Sequence, residues 1–147
     1  RCAEDAYAQA GIRDPRAELA MAEVHDCFTP TELVLMEDLG FAQRGTAWKE
    51  VLNGTFDLEG ELAVNPDGGL KSFGHPIGAS GLRMLFEAWL QLRGEAGARD
   101  ALHRAELDAV RPQAVGFSMN YLANAPEIID FARRLIAPDP PSATGQP

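Results

Sequence analysis

A layered α/β domain is the fold this chain predicts, and three observations carry that reading. Strand-like and helix-like patterns alternate along the sequence, the order that lays helices against a parallel sheet. Of its 147 residues 46% are apolar and 24% charged, the balance of a globular domain. The length suits one domain of modest core, spanning residues 1–137, with a short tail after it.

The elements follow in order. Ala3, Ala6, Tyr7 and Ala10 share one face of a helix over Cys2–Ala10, which Gly11 stops and on which Ile12 is placed to pack back. Glu18 to Val24 reads as a strand. Thr29-Pro30-Thr31-Glu32 then has the form of a capping box, with threonine as cap and proline at the first helical position. The helix it predicts runs to about Leu39 and ends at Gly40. Residues 41–62 read as a mixed connection marked by Gly45, Asn53-Gly54 and Gly60. Leu62 to Asn65 is a short apolar strand. A helix starting near Gly78 carries Leu82, Leu85, Phe86, Trp89 and Leu90 as one apolar stripe and ends at Gly94. Residues 95–111 are charged, with His103 read as a solvated residue there. Ala114 to Phe117 is a buried-strand run, and Glu127 to Ile136 has helical spacing. From Pro138 onward four prolines with serine, threonine and glycine predict a disordered tail over 138–147. No internal repeat is visible.

Charge and composition exclude several classes. A formal net charge of −9 argues against nucleic acid or an anionic membrane as the main partner, while leaving room for a locally basic pocket. Two cysteines without paired spacing predict free thiols in a reducing compartment, hence a cytoplasmic protein. No apolar run approaches the roughly 18–20 residues of a membrane span, and the opening residues do not read as a signal peptide. The sequence enters directly on a helical pattern, so it reads as a piece of a longer polypeptide.

The most informative segment is Asn65-Pro66-Asp67-Gly68-Gly69-Leu70-Lys71-Ser72-Phe73-Gly74-His75-Pro76-Ile77-Gly78-Ala79-Ser80-Gly81. It holds five glycines, two prolines and one histidine, ahead of the strongest helix in the chain. Glycines admit positive φ and close approach of a substrate, and Pro76 fixes the chain direction after the imidazole. The helix start that follows aims free N–H groups and its positive dipole end toward the same place. A rigidly held imidazole at the rim of an anion-handling site is one reading. A tight loop with an incidental histidine is the other.

Asn-Pro-x-Gly-Gly followed by Gly-His-Pro-x-Gly-Ala-Ser-Gly resembles the histidine loop in the C-terminal half of thiolases. Glu23-Val24-His25-Asp26-Cys27-Phe28, then Glu32-Leu33, is similar to the corresponding block of the sterol-carrier-protein-x type, where most other thiolases carry Asn-Glu-Ala-Phe. Gln91-Leu92-Arg93-Gly94-Glu95-Ala96-Gly97 matches the same subgroup. The likeness runs from about Ala3 to Asn120. It implies a thiolase-like layered α/β/α domain, the C-terminal half only, of an acyltransferase that cleaves or condenses a 3-oxoacyl-CoA. It also implies a coenzyme A thioester as substrate, no metal and no permanently bound cofactor. The partners it implies are its own N-terminal half and a second subunit in a homodimer or higher oligomer, with room for a small accessory subunit.

By that resemblance His75 is the base that activates a nucleophilic cysteine, His25 an oxyanion donor, and Cys27 the second acid/base. Gly74, Gly78, Ala79, Ser80, Asn120 and Tyr121 would line the substrate. An imidazole titrates near neutrality and a thiolate needs a base to form it, so the residue types suit the chemistry. On residue type alone other readings stand. Cys27, between strand and helix, reads as a buried structural thiol. His25 reads equally as a satisfied core group, and Asp26 as a cap or orienter.

Two departures from the family pattern matter. No cysteine here matches the nucleophile, which belongs to the N-terminal half; Cys2 lies on a helix well before the His25 block. Near the C-terminus the subgroup carries a His-Asn-Leu-Gly-x-Gly-Gly type loop, where this chain reads Met119-Asn120-Tyr121-Leu122-Ala123-Asn124-Ala125. Asn120 alone is retained. The change leaves open a divergent carbon–carbon lyase or aldolase with Tyr121 as acid/base, Tyr121 as an aromatic core filler, or a non-catalytic assembly subunit.

Overall fold

The computed structural model describes residues 2–101 and the backbone of residues 115–117. Among the described residues Met21–Glu23 (β1) is the middle of a three-stranded parallel sheet, between Ala63–Val64 (β2) and Val115–Phe117 (β3). Met21 pairs with Ala63 on one side and Val115 on the other, and Glu23 lies opposite Phe117. A central parallel strand is covered on both faces, which explains why Leu19 to His25 is buried throughout.

The period of two along β1 sorts its side chains into two layers. Ala22 and Val24 join Leu19, Met36, Phe41, Ala47, Phe56 and Leu62 in the larger core. That layer is roofed by Cys2–Ala10 (α1), Thr29–Asp38 (α3) and Ala47–Leu52 (α4), with Pro15–Glu18 (α2) leading into the sheet. Met21, Glu23 and His25 point the other way. There Met21 meets Ala63 and Ala101, Glu23 meets Arg83, and His25 meets His75. The second layer is Gly69–Phe73 (α5) and Ser80–Leu92 (α6), followed by a 3₁₀ turn at Gly97–Arg99. The arrangement is the expected α/β layering.

At the N-terminus the helix stop at Gly11 holds: Ile12 N–H donates to the Tyr7 carbonyl at 2.9 Å and Ile12 packs on the core. Tyr7 anchors α1 through its hydroxyl, which donates to the Leu39 carbonyl at 2.8 Å.

Several expectations need correction. The strand begins at Met21, because Asp14 caps a short helix with Pro15 at its first position and Glu18 closes it from below. That signal was readable in Asp14-Pro15. The capping box at Thr29 does not form; α3 starts at Thr29 behind Phe28, and Glu32 instead accepts from Asn65 Nδ2 at 2.9 Å. The connection 41–62 contains α4, and the glycine segment contains α5.

The largest departure is in α6. Leu82 and Phe86, the heart of its apolar stripe, are 59% and 56% exposed, while Ser80, Met84, Leu85, Glu87, Ala88 and Gln91 are buried. Polar side chains can turn inward here because each finds partners. Gln91 donates to Glu87 Oε1 at 2.9 Å and to the Arg99 carbonyl at 2.7 Å, and its Oε1 accepts from Ala101 N–H at 2.9 Å. Arg99 Nη2 reaches Glu87 at 3.0 Å. These bonds pin residues 95–101 to α6. β3 agrees with the predicted Ala114–Phe117 strand. The readings at His103, Asn120, Tyr121, 127–136 and the 138–147 tail lie outside the described residues.

Candidate functional site

β1 and β2 run parallel, so the chain segments after Glu23 and Val64 leave the sheet at the same edge, where open α/β sheets bind ligands. Asn65 joins the two. Its N–H donates to the Ala22 carbonyl at 2.8 Å, and its side-chain oxygen accepts from Val24 N–H at 2.8 Å. It sits at φ 50°, a left-handed conformation that asparagine tolerates better than most residues.

The next turn is held by two carboxylates. Asp67 accepts from Gly69 N–H at 2.8 Å, and Asp26 from Leu70 N–H at 3.0 and 3.1 Å. Gly69 has φ 60°, and a Cβ there would collide with the Asp26 carboxylate. Asp26 thus orients a neighbouring segment, as one of its sequence readings allowed. Short α5 then carries the chain to Gly74, whose φ of 78° turns it and delivers His75 over the end of β1.

The rings of His25 and His75 meet edge to face, with centroids 5.0 Å apart and an interplanar angle of 65°. His25 is buried and His75 exposed. His75 Nδ1 lies 2.7 Å from Ser80 Oγ, which is 3.2 Å from the Pro76 carbonyl oxygen. Gly74, Gly78 and Ala79 are exposed, whereas Ser80 is turned inward at 3% exposure, its hydroxyl engaged by the imidazole. Cys27 is a free, partly exposed thiol two residues beyond His25. Asn120 and Tyr121 lie outside the described residues.

Burial lowers the His25 pKa below the usual imidazole range, and nearby His75 and Arg83 push the same way against Asp26. His25 is therefore a neutral imidazole near pH 7, able to donate one N–H without carrying charge. Behind it Glu23 is pushed up to about 8, first by burial, with Glu87 and Asp26 adding to the effect and Arg83 opposing it. Arg83 bridges Glu23 and Asp67 and lies 5.4 Å over the Phe73 ring. It ties β1, the Asn65–Gly69 turn and α6 into one frame. Burial also raises Glu32, with Asp26 in the same direction.

Sequence reasoning missed this supporting frame. Two signals pointed to it: a glutamate inside an apolar strand run, and an arginine near the start of a helix, where the dipole disfavours a cation. Both residues sit where their isolated placement is costly, so they need each other. Among the described residues no group of three or more His, Cys, Asp or Glu could hold a metal ion, and no helix is long and apolar enough to cross a membrane.

The chain is similar in sequence to known proteins. The sequence profile described as thiolase C-terminal domain-like matches residues 1–121. An acetyl-CoA acetyltransferase of Methanocaldococcus jannaschii is 44% identical over 99 residues, covering 66% of this chain and 25% of that protein. One from Methanothermobacter thermautotrophicus is 44% identical over 82 residues, covering 56% and 21%. Sterol carrier protein 2 of Bos taurus is 42% identical over 93 residues, covering 63% and 17%. The chain spans about a fifth of the length of these relatives.

Proposed function

Because the chain belongs to the thiolase C-terminal domain-like family, we propose that it supplies the C-terminal part of the catalytic centre of a thiolase-like acyltransferase acting on acyl-CoA. The observation that carries this reading is the His25–His75 pair, assembled at the carboxyl edge of a parallel sheet. The acetyl-CoA acetyltransferase relatives favour a coenzyme A thioester as substrate.

In the direction of cleavage, a cysteine from a segment outside this sequence loses its S–H proton to His75 and adds to the 3-oxo carbon of a 3-oxoacyl-CoA. The C2–C3 bond breaks, leaving an acyl-cysteine and the enolate of the shorter thioester. Neutral His25 donates its N–H to the enolate oxygen, directly or through water. Cys27 supplies the proton to C2, and a coenzyme A thiol then takes the acyl group. Gly74, Gly78 and Ala79 present the open surface on which the thioester lies, and Ser80 acts through His75. By the family resemblance Asn120 and Tyr121 would also contact the substrate.

The same reading includes an N-terminal half and a second subunit as partners. Phe73 and Ile77 beside His75 in sequence, and Leu82 and Phe86 on α6, are exposed apolar side chains, which supports such a neighbour. Replacing His75 with alanine in the complete protein should lower acyl transfer roughly 10²–10⁴-fold, the usual loss on removing a general base. Activity within about threefold of wild type would overturn the assignment.

A second reading rests on Met119-Asn120-Tyr121, where the resembled subgroup carries a glycine-rich loop. A retro-aldol or altered Claisen lyase on a CoA ester would use the Tyr121 phenol as acid/base. Loss of carbon–carbon cleavage in Tyr121→Phe, without any acyl-enzyme in the wild type, would favour it over thiolysis.

A further inference from the structure

We propose that Ser80 is a positioning residue that sets the tautomer of His75, keeping the proton on Nδ1 and leaving the Nε2 lone pair free to act as the base. The inference deepens the reading of His75 given above, but the tautomer can be read without any activity.

The protons available to the three groups decide the arrangement. A serine hydroxyl has one proton and two lone pairs, and a backbone carbonyl has lone pairs only. Ser80 Oγ lies 3.2 Å from the Pro76 carbonyl oxygen and 2.7 Å from His75 Nδ1. If the hydroxyl proton went to Nδ1, Oγ would face the Pro76 carbonyl oxygen, which also accepts from Ala79 and Ser80 N–H, at 3.2 Å with no hydrogen between the two oxygens in a buried place. If it goes to the Pro76 carbonyl, the usual bond of a helical serine to the residue four back, Oγ is left as an acceptor. Nδ1 must then carry the hydrogen. Every donor has an acceptor in this second arrangement, and burial makes an unmade bond expensive.

The choice has a chemical consequence. Free imidazole favours the proton on Nε2, so without Ser80 the outward nitrogen would more often be a donor than a base. Once Nε2 takes a proton, the ring is a cation and the Nδ1–H to Oγ bond becomes charge-assisted, so Ser80 also stabilises the product of that step. His25 cannot perform this service, since it meets the His75 ring edge to face at 5.0 Å between centroids.

The hydroxyl is held where it is by the helix that carries it. Ser80 opens α6, its N–H donates to the Pro76 carbonyl at 3.0 Å, and one turn later Arg83 is clamped by Asp67 and Glu23. A rotation of α6 that moved Oγ off Nδ1 would have to break that clamp.

The experiment is ring-nitrogen NMR on the complete protein labelled with ¹⁵N-histidine, the His75 signal being identified by its loss in His75→Gln. The wild type should show a pyrrole-type Nδ1 and a pyridine-type Nε2. Ser80→Ala should shift His75 toward the Nε2–H form and lower acyl transfer roughly five- to tenfold, the effect of one neutral hydrogen bond. Ser80→Thr, which keeps the hydroxyl, should restore both. A wild-type His75 protonated on Nε2 overturns the proposal even if Ser80→Ala fails to fold, and so does a Ser80→Ala protein with unchanged tautomer populations. Failure of the catalytic reading is separate: it shows as an active His75→Ala enzyme whatever the tautomer.

Discussion

The Glu23 carboxylate, wholly buried on the central strand, lies 3.2 Å from Arg83 Nη2 of α6 without the geometry of a hydrogen bond. The contact is chiefly one of charge. Arg83 is also bound by Asp67, so one cation faces two carboxylates, with Glu87 close enough to raise Glu23 further. The surplus negative charge is relieved when Glu23 holds a proton.

Stability should therefore depend on pH in a direction opposite to that of an ordinary paired carboxylate. The unfolded glutamate titrates near 4.5 and the folded one at about 8, so the folded state binds more protons in between. Stability is fully present below the lower value and is lost as pH rises through the upper one, by on the order of a few kcal/mol. Denaturant midpoints of the complete protein measured across this range should fall toward pH 8, and Glu23→Gln should flatten that fall. A wild-type midpoint that rises over the same interval would contradict the buried-carboxyl reading.

Gly69 and Asp26 should be coupled. Gly69→Ala introduces a Cβ at φ 60° against the Asp26 carboxylate, and should cost about 2 kcal/mol or more. Asp26→Ala alone should cost about 1 kcal/mol through the lost bond to Leu70 N–H. Combined, the two should cost less than their sum, because the collision is gone. Strict additivity in chemical denaturation would show that the two residues do not touch.

Cys27 should separate the two halves of the reaction. If it donates the proton to carbon, Cys27→Ser in the complete enzyme should still form the acyl-enzyme and then stall. Burst kinetics read the two phases apart. Equal slowing of burst and turnover, with a lowered melting temperature, would make Cys27 a structural thiol.

The two faces of α6 should respond oppositely to charge. Leu82→Lys and Phe86→Lys should leave the chain folded and reduce its binding of a hydrophobic dye, because both positions are exposed. Met84→Lys should unfold it, since a lysine there is buried with no partner. Circular dichroism and dye fluorescence on the isolated chain decide it. Unfolding by Leu82→Lys would restore the face that the apolar stripe predicts.

Local signals were legible where one segment determines its own conformation. The stop at Gly11, the helix before Gly94 and the apolar run at 115–117 all appear where the sequence places them. The capping box at Thr29 does not form because Glu32 has a better partner, Asn65, which only the parallel pairing of β1 and β2 brings within reach.

The sequence by itself determined the layered α/β class, and through the family resemblance of its motifs it singled out His25, Cys27 and His75 as candidates, since periodicity and motif are local properties of a chain. Tertiary structure alone decided that His25 and His75 touch, that Ser80 turns inward to an imidazole, and that α6 buries Glu87 and Gln91 while showing Leu82 and Phe86 to solvent. The reason is energetic. A helix buries the face whose groups find partners, and for Arg83, Glu87 and Gln91 those partners, Glu23, Asp67, Arg99 and Ala101, come from other turns of the fold. Hydrophobic spacing can rank the faces of an isolated helix, but it has no knowledge of the carboxylates and carbonyls waiting on the neighbouring strand and loops.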